Sequence, residues 1–105
     1  MKDAVVLNNS CLGYIRHEQK AFLNDRFIFT NFREVDFAKV AEGYGCVGIR
    51  VEKAERLSDA LREAKGANGP VVIDVVVDPW AYPPILEFFS TGWNKELTTI
   101  VKKMK

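Results

Sequence analysis

The first apolar run of the chain, Ala4 to Leu7, is short and does not alternate with polar residues, the pattern of a strand buried on both faces. After Asn8 and Asn9 the period lengthens. Leu12, Ile15, Gln19 and Phe22 fall on one side of a helix, with Arg16, Glu18 and Lys20 mostly away from it. The stretch NDRFIFTNFREV keeps no period, and its aromatics Phe27, Phe29 and Phe32 predict a packed loop or irregular extended segment. In VDFAKVAEGYG, Phe37, Val40, Ala41 and Tyr44 recur at helical spacing, and Gly45 is placed to close the helix in a left-handed conformation. CVGIRVE reads as a short strand, and KAERLSDALREAKG as a helix with Leu57, Ala60, Leu61 and Ala64 as its buried stripe. Glu52 and Arg56 are spaced to pair at its start, a contact worth only ~0.2–0.5 kcal/mol. Gly66 ends it, and NGP turns the chain into the next strand.

That strand, VVIDVVVD, carries six valines and isoleucines in seven positions. A half-exposed strand alternates, so this one belongs in the middle of a sheet covered by helices. The resulting order is strand, helix, irregular segment, helix, strand, helix, strand. The fold class is therefore α/β, three-layered, with a parallel sheet of about three strands in the order first–third–second, flanked by helices. Asp74 interrupts the central run and, if buried, needs a donor or an end of the sheet. Beyond Asp78 the prolines of PWAYPP exclude regular structure. The tail then reads as one or two short helices, with Trp93, Leu97, Ile100 and Val101 as an apolar stripe.

With 105 residues and 48% of them apolar, the chain suffices for one core. A net charge of +1, with both signs interspersed, argues against a nucleic-acid footprint. The closing VKKMK reads as a solvated helix end. No run is long enough to cross a membrane and no signal peptide is evident, so a cytoplasmic location is expected. Two distant cysteines, Cys11 and Cys46, and one histidine make a zinc site improbable and suggest unlinked thiols. His17, away from the stripe of the first helix, reads as a surface or partner-facing residue, and Glu18, Asp25 and Glu34 as solvated carboxylates.

Ligands of parallel α/β sheets gather beyond the carboxyl ends of the strands. Asn8 and Asn9 occupy that place, ahead of a helix whose amino end attracts anions. An asparagine oxygen and a loop carbonyl are hard donors suited to magnesium, and so fit half of a metal–diphosphate site. The plainer reading is an asparagine-mediated turn, which the local chemistry taken alone favours.

The ordered series VVLNNSCLGYIR, DFAKVAEGYG, a short strand, AERLSDALREA and GPVVIDVVVDP resembles the thiamine diphosphate-dependent enzyme family. Specifically, it resembles the carboxyl-terminal half of the cofactor-binding domain in acetolactate synthase-like members, over residues 3–79. The resemblance implies a partial thiamine diphosphate-binding (flavodoxin-like) domain over residues 1–79 and a proline-containing segment with a helical tail over residues 80–105. It implies thiamine diphosphate and magnesium as cofactors. In that family the signature opens with Gly-Asp-Gly and closes with a double asparagine. The Asp, the second Asn and the carbonyl next but one after it hold the metal. Carried over, Asn9 and the Cys11 carbonyl are the metal ligands. Gly13 matches the small residue at the turn into the helix, and Tyr14 and Ile15 the apolar positions near thiazolium and substrate. Asn8 supports the loop.

The chain contains no Gly-Asp-Gly, and nothing in it corresponds to the pyrimidine-binding domain with its activating glutamate. It thus reads as a fragment or subunit of a 2-oxo acid decarboxylating and carboligating enzyme, inactive alone. The expected partner is a second copy of the chain or a partner chain that completes the sheet, with no nucleic acid and no membrane. A non-catalytic dimerising or regulatory module derived from such a domain is the alternative. A self-sufficient phosphate-binding domain is weaker, because a glycine-rich loop is missing. Trp80 and Tyr82 are expected to pack over the sheet.

Overall fold

A valine-rich central strand organises the structure, a computed structural model that describes residues 2–81. Its elements are β1 (Asp3–Asn8), α1 (Gly13–Phe22), α2 (Phe37–Gly43), β2 (Val47–Val51), α3 (Leu57–Gly66) and β3 (Val71–Val76), with a turn of 3₁₀ helix, Ala54–Arg56, leading into α3. The expected tail helices, and Tyr82, lie outside the described residues. The described residues divide into two units, a sheet unit of residues 2–9 and 34–78 and a helical unit of residues 10–33 and 79–81.

In the sheet unit the strands run parallel in the order β1-β3-β2, as the apolar run of β3 predicts. Alternation along the strands sorts the side chains onto two faces. Val71 and Ile73 of β3 and Val51 of β2 join Ala60 and Ala64 of α3 in one buried cluster, flanked by Val47, Ile49, Leu57 and Val75. Leu61, expected in that stripe, is 42% exposed. The register places Gly48 beside Val72 and Arg50 beside Asp74 on the opposite face, and α2 packs there. Asp36 caps α2 by accepting a hydrogen bond from the Lys39 amide at 2.9 Å. Gly45, at φ +80°, closes the turn after it. The buried face of α2 is Ala38 and Ala41, whereas Val40 and Tyr44, expected inside, are exposed. Small residues win because the helix lies against bare backbone. A Cβ on Gly48 would stand 2.0 Å from the Ala38 carbonyl oxygen.

In the helical unit the expected face of α1 holds only in part: Gln19 is buried and Phe22 half-buried as expected, and Lys20 is exposed. Leu12 and Ile15 are about half exposed, while Arg16, His17, Gln19 and Ala21 are buried. Hydrogen bonding and ring stacking, rather than side-chain hydropathy, choose the face. Gln19 donates through Nε2 to the Ile28 carbonyl and accepts through Oε1 from the Thr30 hydroxyl, each at 3.0 Å, and so ties down the following loop. The Arg16 guanidinium lies 3.6 Å from the centre of the Trp80 ring, and Trp80 meets Phe27 edge-on. Trp80 thus packs on arginine and phenylalanine. Phe29, expected in a packed segment, is 95% exposed. No helix among the described residues is long and apolar enough to cross a membrane.

Replacing Gly48 by alanine forces a methyl group into the Ala38 backbone. The Gly48→Ala chain is expected to lose about 1–3 kcal/mol of unfolding free energy, the usual range for overpacking. A urea midpoint equal to that of the parent would contradict this packing.

Candidate functional site

The double asparagine stands at the carboxyl end of β1. Asn8, the last residue of that strand, is 5% exposed. Its Nδ2 donates to the Val35 carbonyl at 2.8 Å, and its own carbonyl accepts from the Val77 amide at 2.9 Å. Asn8 is therefore tied by side chain and backbone alike. Asn9 follows it, half-buried, and closes the sheet unit. Ser10 then takes φ +55°, a left-handed conformation uncommon outside glycine.

The other candidate residues belong to the helical unit. Cys11 forms an isolated antiparallel bridge with Asn31, made by the Leu12 amide on Thr30 and the Phe32 amide on Ser10. In a pair bonded through its neighbours, each residue's own N–H and C=O point away from the partner strand, so the Cys11 carbonyl turns away from Asn31. Its thiol is buried, and neither cysteine is in a disulfide. Gly13 opens α1, followed by Tyr14 and Ile15, which are 59% and 47% exposed. Ile15 also lines an open groove of about 280 Å³ with Glu18, Gln19, Phe22 and Leu23. No side chain caps the amino end of α1, and no acidic residue occupies its first turn. That end is thus left electropositive.

The largest group of charges in the sheet unit centres on Arg50. Asp74, 0% exposed on the central strand, accepts through Oδ2 from Arg50 Nη1 at 3.0 Å and from the Phe37 amide at 2.9 Å. Both donors fall on Oδ2, while Oδ1 is buried with no hydrogen-bond partner among the described residues. Arg50 also pairs through Nη2 with Glu34, lies 4.0 Å from Asp36, and donates through Nε to Glu52 at 3.0 Å. The Glu52 hydrogen bond raises the Arg50 pKa, helped by the charges of Asp74, Glu34 and Asp36, against the effect of burial. Two expectations are corrected. Glu34 is not simply solvated, and Glu52 pairs two residues back along β2 rather than with Arg56, because alternate residues of a strand share a face. The same alternation, applied to Arg50 and Asp74 as neighbours in the sheet, was the signal for this cluster.

His17 is also corrected. It is 3% exposed rather than at the surface. Burial lowers its pKa below 6.5, and Lys20 adds to the effect. Among the described residues no group of three or more His, Cys, Asp or Glu side chains is placed to hold a metal ion.

A parallel three-stranded sheet with α2 and α3 packed on it makes the sheet unit an α/β domain. The family described as "Thiamine pyrophosphate enzyme, C-terminal TPP binding domain" matches residues 3–75, and the chain belongs to that family. It is 39% identical over 98 residues to an acetolactate synthase of Bacillus subtilis, covering 93% of this chain and 16% of that protein. It is 44% identical over 73 residues to a putative thiamine pyrophosphate-containing protein of the same organism, covering 70% and 12%. A mitochondrial acetolactate synthase catalytic subunit of Saccharomyces cerevisiae is 38% identical over 88 residues, covering 84% and 12%. The chain thus matches only 12–16% of the length of these relatives, as the carboxyl-terminal half of an acetolactate synthase-like cofactor domain.

Family membership implies thiamine diphosphate with magnesium. The donor chemistry fits, unit by unit: Asn9 offers an amide oxygen, the Cys11 carbonyl turns away from its bridge partner, and the start of α1 is uncapped.

Because burial, with Lys20, lowers the pKa of His17 in the folded chain, the unfolded chain binds more protons as pH falls. Stability is expected to be full above about pH 6.5 and to decline below it. His17→Gln should flatten that decline in urea titrations between about pH 8 and 5.

Proposed function

We propose that the chain is the carboxyl-terminal part of an acetolactate synthase-like thiamine diphosphate enzyme and contributes part of its magnesium–diphosphate site. Residues 1–79 form the partial cofactor domain and residues 80–105 a tail. Asn9 gives the metal an amide oxygen and Cys11 gives it a backbone carbonyl. Gly13 opens the helix whose amino end faces the diphosphate charge, and Tyr14 and Ile15 supply an apolar wall for the thiazolium and substrate. The observation carrying this reading is the Asn8–Asn9 turn at the carboxyl end of a strand in a domain of this family.

Bound thiamine diphosphate supplies carbanion chemistry for decarboxylating a 2-oxo acid and joining the product to an acceptor carbonyl. The residues of this chain bind and orient, and none acts as acid or base. The Asp of Gly-Asp-Gly and the activating glutamate are not in these 105 residues and are supplied from outside them, by a partner chain or by further polypeptide of the same enzyme. The alternative, a non-catalytic dimerising or regulatory module, is favoured by the exposed apolar face of β1. Val5 and Leu7 are 52% and 69% exposed on an edge strand, which is a template for association.

Calorimetric titration of magnesium–thiamine diphosphate tests the site. Asn9→Ala is expected to weaken binding by about tenfold or more, the scale of one lost contact to a charged group. Equal affinity would remove Asn9 from the site. With a 2-oxo acid, the chain alone is expected to give no product, and steady turnover without a partner would overturn the reading.

A second measurement addresses the edge. Sedimentation of the parent is expected to show association that Val5→Lys with Leu7→Lys reduces. A monomeric parent at high concentration would count against an open β1 face.

A further inference from the structure

Asn8 and Arg50 lie on strands at opposite edges of the sheet, separated by β3. The register nevertheless puts both on the face that carries Asp74 and α2. What joins them is the segment Glu34–Phe37. The Glu34 carboxylate pairs with Arg50, and the Asp36 carboxylate lies 4.0 Å from it. The Phe37 amide is held by Asp74, which Arg50 also holds. Val35 is the remaining residue of the four, and its carbonyl receives the Asn8 side chain. That carbonyl shares a planar peptide with the Asp36 nitrogen, so anchoring both sides of Val35 fixes where its oxygen points.

We infer that Arg50 is a positioning residue for the metal-binding turn, holding Glu34 and Asp36 so that the Val35 carbonyl anchors Asn8 and thereby places Asn9. The inference rests on the reading of Asn9 as a metal ligand. Pairing Asp74 alone would need one of the guanidinium's contacts. The contacts to Glu34 and Asp36 instead reach the segment that meets Asn8. An arginine suits this task because its planar fork makes several hydrogen bonds at fixed angles, which a lysine ammonium does not.

The test uses the isotope-labelled chain and follows hydrogen exchange of the Asn8 side-chain amide, assigned by its loss in Asn8→Ala. A double variant, Arg50→Met with Asp74→Asn, removes the guanidinium without stranding a buried charge and leaves Phe37 an acceptor. Asn8 exchange is expected to accelerate by about tenfold, the scale of one lost hydrogen bond, while the β3 amides stay protected. Magnesium–thiamine diphosphate affinity should fall with it, and Arg50→Lys should lie between parent and double variant in both readouts. Unchanged Asn8 exchange in a folded double variant would overturn the inference. So would loss of β3 protection in every Arg50 variant, which would make the role fold-wide. A failure of Asn9→Ala to affect cofactor binding would sink the metal-ligand reading and leave the Asn8 exchange result standing on its own.

Discussion

A carboxylate in the middle of the central strand constrains everything on its side of the sheet. Asp74 is fully buried between two strands, and an ionised group there is tolerated only with donors close by. Two converge on one oxygen, the Arg50 guanidinium from β2 and the Phe37 amide from the start of α2. The second fixes where that helix begins, and the Asp36 cap sits one residue earlier. The opposite face of the same strand has no comparable demand and is filled by Val71, Ile73 and the alanines of α3. Strand alternation thus gives the sheet a dry side and a polar side, and the asparagine turn emerges from the polar one.

How much of this was legible in the residues depends on what decides each element. Strand order followed from β3, since a valine-rich run apolar on both faces, even with Asp74 within it, has one sensible place in a three-stranded sheet. The α2 boundaries followed from Asp36 and Gly45, whose conformations are local matters. The face of α1 was legible only in part: Gln19 and Phe22 turn inward as their spacing predicts, but hydropathy ranked Leu12 and Ile15 above Arg16. A buried glutamine with both ends of its amide bonded, and an arginine lying on an indole, offset that ranking through partners far along the chain. Val40 and Tyr44 misled for a related reason. Helical spacing locates a stripe, but the depth of the groove beneath it decides whether large or small residues fit.

The candidate site divides in the same way. Asn9, Cys11, Gly13, Tyr14 and Ile15 were found by the order of short motifs, each weak alone. What stands behind Asn8 was invisible to that reading, because Val35 contributes a backbone atom and Glu34 looked like any surface carboxylate. Arg50 ties together residues drawn from the start of α2, β2 and β3, a relation that only the folded register reveals.

The missing side chain at Gly48 has a consequence beyond packing. Because α2 rests on backbone at that point, the spacing between helix and sheet is gauged by the absence of one carbon atom. Ala38, which makes that contact, adjoins Phe37. Any spacer at position 48 would therefore tilt the helix start and shift the whole rung from Asp74 to Val35. A residue with no functional group sets the tolerance to which an amide several ångströms away is machined.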